Sequence, residues 1–339
     1  MKIAIVLLTM FLCFFTCCCS GEPRQNYYQP PVKEIKPYDP EKAGAVIVSS
    51  YDITDNIAFL ETGKIGHITE KTNYDLAVYK NSLYIRIRNI LYIFDKNSMQ
   101  KLREIVINLP HEYNFLPYSD PGYAISNGLA VIGSQVFMLF MDHDHRPYKV
   151  YLFNLNLNTG KTQYINEEKL GIKFNNGIPN MMGYDQQRNA IWFRIEDYSE
   201  EASGVYYYYF QYDTGTKTFT RIDEAVWSSE VGWAKQKTDP RADPPRCHLI
   251  ATSISGNECW NVYIYSMPRR YEEAFFVVDR RSMDSLTEPA GSIDVEYLGT
   301  FSLPQSIIYD NPYIWMLVER NDRMQMLKLL PNEQILPGG

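Results

Sequence analysis

The sequence is short of the linear signatures that mark common chemistries. Its 339 residues hold no Gly-x-Ser-x-Gly elbow, no glycine-rich phosphate loop and no Cys-x-x-Cys pair. That argues against the serine-hydrolase, nucleotide-binding and thiol-redox chemistries built on those motifs. Histidine is scarce, at five, whereas a zinc centre needs three or four converging ligands. Positive charge is in deficit: 33 Lys and Arg against 40 Asp and Glu give a net charge of −7. Without a basic cluster the chain lacks the electrostatic footprint of a nucleic-acid binder. Long apolar runs are also lacking beyond the N-terminus, so the body is not expected to span a bilayer on helices. No cofactor is indicated.

Aromatic residues are plentiful, with 27 Tyr, 16 Phe and 5 Trp. Such enrichment suits a pleated, half-buried surface and favours strands. The cysteines are unevenly spread, four of the six lying between Cys13 and Cys19 in "CFFTCCC". They follow Lys2 and the apolar run Ile3 to Phe15, which is the layout of a secretory signal. The stretch resembles the lipobox of bacterial lipoproteins, in which a cysteine after small residues is lipidated and becomes the first residue. "FTCC" places the lipid on Cys18, with Cys17 and Cys19 as the alternatives. The resemblance implies residues 1–18 as signal peptide and an exported protein on the periplasmic or cell-surface side, held to a membrane by its N-terminal lipid. Residues 19–43 are rich in proline and lack hydrophobic periodicity, the composition of a disordered tether.

From residue 44 to residue 339 the pattern is β throughout. One hairpin type joins a short strand to an aromatic-rich one, as in "LAVYKNSLYIRI", "LAVIGSQVFMLF" and "SIIYDNPYIWMLV". A second runs into a polar turn and returns, as in "LYIFDKNSMQKL" and "YYYFQYDTGTKTFTRI". Alternating runs broken by such turns are hairpin signals. Anchored on Asp95, Asn154, Asp213 and Asp279, the paired hairpins recur roughly every 60 residues. One hairpin of each type makes a four-stranded unit, which predicts an all-β propeller of five or six blades closed by N-terminal strands. The turns "LNTGKT", "DTGTKT" and "ETGK" resemble those of quinoprotein-type bacterial propeller repeats, a likeness of repeat chemistry that implies no quinone.

Candidate sites are few. Asp142, His143, Asp144 and His145 in "MDHDHRPY" could ligate a metal, but they sit where a hairpin connection belongs. "IEDYSEEASG", with Glu196 and Asp197, occupies the equivalent connection one unit later and reads as a solvated acidic loop. The long insertion at 223–247 carries Trp227, Trp233, Arg241 and Arg246, an aromatic and guanidinium composition favoured at interfaces. Cys247 and Cys259 are the cysteines of the body, candidates for a disulfide in an exported protein. The expectation is a monomeric, non-enzymatic propeller that binds a protein or glycan partner at the cell envelope. Its rival is a propeller hydrolase or lyase acting on a polysaccharide, with site residues at the central axis.

Overall fold

The computed structural model describes residues 36–57, 74–87, 89–109, 128–142, 149–165, 177–197, 206–213, 215–216, 218–222, 226–227, 246–267, 270–284, 286, 289–299, 304–320 and 323–332. Calls on the signal, the three candidate lipidation cysteines and the tether up to residue 35 lie outside them. A single helical turn, α1 (Pro40–Ala43), opens the described chain. Asp39 caps it by accepting from the Lys42 N–H, and Gly44 ends it at φ 73°, a left-handed conformation that favours glycine.

Strands account for almost all the rest. The first, β1 (Ala45–Asp52), joins the last sheet of the chain. The first blade is β2 (Tyr74–Tyr79), β3 (Ser82–Ile87), β4 (Ile90–Asp95) and β5 (Lys101–Val106). The second is β6 (Leu129–Ile132), β7 (Gln135–Asp142), β8 (Lys149–Asn156) and β9 (Thr162–Ile165). The third is β10 (Gly177–Asp185), β11 (Ala190–Asp197), β12 (Tyr206–Asp213) and β13 (Thr218–Arg221), with a two-residue strand β14 (Val226–Trp227) also on β12. The fourth is β15 (Arg246–Ser255), β16 (Glu258–Met267), β17 (Arg270–Ser282) and β18 (Gly291–Asp294). The fifth is β19 (Pro304–Asp310), β20 (Tyr313–Arg320) and β21 (Arg323–Pro331), with β1 antiparallel to β21 as its outer strand. All are antiparallel, and the first four follow chain order as meanders. Their first strands adjoin in the order β2, β6, β10, β15, β19 and back to β2, which makes a five-bladed propeller.

One rung of the ladder explains how the blades stack. Three pairs from each inner turn, an aromatic on the second strand faces the first strand: Tyr84 opposite Ala77, Phe137 opposite Ala130, Trp192 opposite Gly183, Trp260 opposite Ser253 and Trp315 opposite Ile308. All five aromatics are buried. Each belongs to the apolar cluster shared with the following blade, and Trp315 of the fifth packs with Tyr74 and Leu76 of the first. First strands crowd towards the axis, so a wide ring on the second strand fits best over a small partner. A Cβ on Gly183 would lie 2.5 Å from Trp192 Nε1.

Polar turns end the third strands. The Asp95 side chain accepts from the N–H groups of Asn97 and Ser98, Asn156 from Asn158 and Thr159, and Asp213 from Gly215 and Thr216. The repeat anchors need correcting accordingly. Asn156 and not Asn154 holds the second turn. In the fourth blade β17 continues past Asp279 to Ser282, which occupies the turn position opposite Glu258.

Candidate functional site

The two mouths of the ring differ. At the mouth where first strands end, contacts cross between blades. Asp310, the last residue of β19, accepts from Lys96 Nζ at 2.6 Å, from Gln186 Nε2 at 3.3 Å and from Trp315 Nε1 at 3.3 Å. Lys96 belongs to the first blade, Gln186 to the third and Asp310 to the fifth. Tyr79 and Tyr184, the one from the first blade and the other from the third, meet edge to face at 5.6 Å. Asp185 Oδ1 accepts from the Gly256 N–H of the next blade at 2.8 Å, and Arg188 returns a bond to the Gly256 carbonyl. Two of these contacts, Gln186 with Asp310 and Tyr79 with Tyr184, join blades that are not neighbours in the ring.

The other mouth is formed where first strands begin and second strands end. Asp75 lies near the start of β2, buried and held on both oxygens. Its Oδ2 takes Arg86 Nε at 2.5 Å in an ion pair, and its Oδ1 takes the Gly128 N–H of the second blade at 2.9 Å. Arg86 also donates to the Leu139 carbonyl at 2.8 Å and stacks its guanidinium over Phe140. Burial pushes the Asp75 carboxyl up, against the pull of Arg86 and the Gly128 N–H. With both oxygens committed, Asp75 pins the first two blades together and is not a free acid. "YDLAVY" carried its signal in the sequence, a carboxylate inside an apolar strand.

Carboxylate positions from neighbouring blades end at the same mouth. Asp142 closes β7, paired with Lys149, and Glu196 and Asp197 close β11. Asp197 stands between Gly177 of β10 and Tyr206 of β12, and Tyr206 is in turn opposite Trp227 of β14. The next rung is Ile178, Glu196, Tyr207 and Val226. Arg246 opens β15, the first strand beside β10. Of the sequence candidates, the fold therefore brings Asp142, Trp227 and Arg246 to one mouth. His143, Asp144, His145, Trp233 and Arg241 lie outside the described residues. No group of three or more His, Cys, Asp or Glu able to hold a metal occurs among the described residues.

A disulfide between Cys247 and Cys259 is not made. The register sets Cys247 opposite Tyr265 and Cys259 opposite Ile254. Seven residues of strand, about 23 Å, separate those rungs, whereas bridged Cα atoms lie within about 7 Å. Cys259 is instead a buried free thiol, and burial pushes its pKa up to about 12. It sits in a polar cluster between the third and fourth blades. There Thr252 donates to Asn261 at 2.6 Å, and Arg281 makes a two-pronged contact with Asp279 at 3.0 and 2.6 Å. Asp279 and Arg281 are on a third strand, away from the axis, which suits holding blades together rather than chemistry.

No protein-family model matches the chain, and no curated protein matches it either. Solved structures do. An endo-arabinase from Bacteroides thetaiotaomicron aligns over 79% of this chain and 95% of its own, at 9% identity and a TM-score of 0.41. A β-1,2-mannobiose phosphorylase from Listeria innocua aligns over 84% and 97%, at 8% identity and a TM-score of 0.43. A glycosyl hydrolase from Bacteroides ovatus aligns over 87% and 93%, at 8% identity and a TM-score of 0.40. At such identities the likeness is one of fold. Against the expectation of a non-enzymatic, partner-binding module, the structures found are named as enzymes.

Proposed function

We propose that the chain is a carbohydrate-active propeller enzyme that cleaves glycosidic bonds at the mouth where the first strands begin. The observation that carries this reading is the placement of Asp142 and of Glu196 with Asp197 at the ends of second strands in adjacent blades. Glycoside cleavage needs two carboxyl groups, an acid for the leaving oxygen and a base or nucleophile across the sugar ring. Neighbouring blades can supply such a pair without leaving a linear motif. The names of the similar structures, an endo-arabinase and a mannobiose phosphorylase among them, agree with this class. The test is turnover of arabino-, manno- and xylo-oligosaccharides by the purified protein, with Asp142→Asn, Glu196→Gln and Asp197→Asn. Loss of product by at least one of the three with the fold retained supports the reading. Product formation undiminished in all three, or none from the native protein on any of these sugars, overturns it.

We further propose that the protein is exported and anchored through a lipid on Cys18, for which the run of cysteines behind an apolar segment is the support. Mass spectrometry of the mature N-terminus tests it. An unmodified terminus beyond Cys19 overturns it.

A further inference from the structure

We infer that the outer wall where the fifth and first blades adjoin rests on a phospholipid surface, an inference that rests on the lipid-anchor reading above. Among the described residues the exposed large apolar side chains are Tyr38, Val46, Val48, Leu102 and Val106, between 43% and 57% exposed. The first lies just before α1, the next two on β1 and the last two on β5. β1 and β5 are the outer strands of adjoining blades. The outer strands of the second and fourth blades, β9 and β18, present none. Exposed apolar residues scattered singly are ordinary, whereas a group gathered on one wall marks a contact surface.

The register gathers them at one seam. Val106 is opposite Ile90, which packs in the cluster that the first blade shares with the fifth. Val46 is opposite Leu330, and Lys328, two residues before it on the same face, is opposite Trp315 of that cluster. Residues directly opposite share a face, so Val46 and Val106 flank the seam from its two sides. Lys101 Nζ donates to the Asn56 carbonyl at 3.0 Å, which ties the start of β5 to the turn after β1. The Tyr38 hydroxyl accepts the Ile47 N–H at 3.0 Å, which holds Tyr38 against β1. Val48 and Leu102 are bulge residues, since the ladder passes over each of them. Bulges blunt an edge against a further strand. That disfavours a second copy pairing here and leaves the side chains to a surface that needs no register.

The place where the chain enters argues for the occupant. The described residues begin at Lys36. Lys36 pairs with Glu296 of the turn Val295–Leu298, and the Asp39 N–H donates to the Tyr297 carbonyl at 2.9 Å. The polypeptide is therefore fixed beside β1 as it arrives. Residues 19–35 lie between this point and Cys18, and a flexible chain of that length averages about 23 Å end to end. Such a tether keeps the wall at high effective concentration beside the bilayer, so a few half-exposed apolar side chains suffice to hold it there. Nearby charges are balanced in pairs. Lys42 meets Asp39 and Lys101 meets Glu104, each at 3.2 Å, and Arg323 meets Asp52 and Asp55. Apolar contact among balanced charges suits the boundary between headgroups and acyl chains. A body resting on this wall opens both mouths along the membrane rather than against it.

Photo-cross-linking tests the contact. The protein is extracted from its host membrane, reconstituted in phosphatidylcholine vesicles that carry a diazirine-labelled phospholipid, and illuminated. Lipid adducts, located by peptide mapping, should fall on residues 46–48 and 102–106 and not on β9 or β18. Combining Val46→Ser, Val48→Ser, Leu102→Ser and Val106→Ser should abolish those adducts while the N-terminal lipid, read by mass, remains. Should the quadruple variant fail to fold, Val48→Ser with Leu102→Ser, both outside the ladder, should show a partial loss. Adducts spread evenly over the outer strands, or absent from β1 and β5, with the lipid present on the N-terminus, overturn the docking and leave the anchor standing. Cross-links between two copies through β1 and β5, in place of lipid adducts, assign the wall to a second copy and overturn it as well. A mature N-terminus without lipid overturns the anchor and the docking together.

Discussion

Lys96 of the first blade donates to the Asp310 carboxylate of the fifth at 2.6 Å. The same carboxylate accepts from Gln186 of the third blade and from Trp315 of its own. One side chain thus joins three blades at the mouth where first strands end. Removing it as Asp310→Ala would strand a mostly buried ammonium and an indole N–H, at a cost of about 2–4 kcal/mol. Lys96→Met should cost less, because Asp310 keeps its other donors. A double-mutant cycle by urea unfolding measures the coupling. Strictly additive losses would show that the pair does not act as a tie.

The aromatic rung makes a second prediction. Trp192→Ala empties a fully buried site between the third and fourth blades and should cost about 3–5 kcal/mol. Gly183→Ala, a change of one methyl, should also be destabilising, because its Cβ would meet the Trp192 ring. Combining Gly183→Ala with Trp192→Phe should lose less than the sum of the two changes. Denaturant midpoints of the single and double variants decide it.

The rung also shows what was legible in the sequence and what was not. Alternation in "SLYIRI" and "YIWMLV" was enough to predict strands, and paired hairpins were enough to predict a propeller, because both depend on neighbours in the chain. The number of blades depended on β1 pairing with β21, a partnership almost the full length of the described chain apart. The repeating aromatic was hidden because it is Tyr84 and Phe137 in the first two blades, tryptophan only in the last three (Trp192, Trp260 and Trp315), and unevenly spaced. Only the register aligns them. Asn154 was mistaken for the turn residue because Asn154 and Asn156 lie on the same side of β8 and differ only in ending the strand. The mouth was harder still. Asp142, Asp197 and Arg246 belong to different blades, and no local pattern records that their strands finish together. The disulfide failed on register alone, since two cysteines flanking a hairpin turn need equal distances from it.

Acid titration separates the equivalent turns. Backbone N–H groups of Ser98 and Asn97 hold the Asp95 carboxyl below its ordinary range, and those of Thr216 and Gly215 do the same for Asp213. A lowered folded pKa contributes stability that is present above the unfolded value and is lost as pH falls through the folded one. Asp95→Asn and Asp213→Asn keep an acceptor in each turn, as Asn156 does in the second blade. The double variant should therefore lose less stability than the native protein between pH 5 and pH 2, a window set by the ordinary carboxylate pKa of about 4 and the lowered folded values. Parallel stability–pH curves would refute the turn assignment.

Cys259 should be inert in the folded protein. Burial against Asp279 raises its pKa to about 12, so the thiolate that reacts is nearly absent at pH 8. Iodoacetamide should label it only after unfolding, and the labelling rate should follow denaturant in step with loss of tertiary signal. Rapid labelling of Cys259 under native conditions, located by peptide mapping, would place the thiol at a surface and contradict the interface between the third and fourth blades.

The last prediction distinguishes a pin from a catalyst. Asp75 is a carboxylate at the mouth where the first strands begin, with a raised pKa, which in isolation suggests a general acid. Its geometry says otherwise, since both oxygens are occupied by Arg86 and by the Gly128 N–H. Asp75→Ala would leave the buried Arg86 guanidinium without its counter-charge and should cost about 3–5 kcal/mol. Asp75→Asn can still accept from Gly128 and should cost less. A raised folded pKa favours the protonated form on folding, so that contribution is present below the unfolded value and fades as pH rises through the folded one. Asp75→Asn, which cannot titrate, should flatten that part of the stability curve. In sugar turnover, a pin predicts that kcat in the asparagine variant keeps its native pH profile under conditions where the protein is folded, whereas a general acid predicts loss of one limb of that profile.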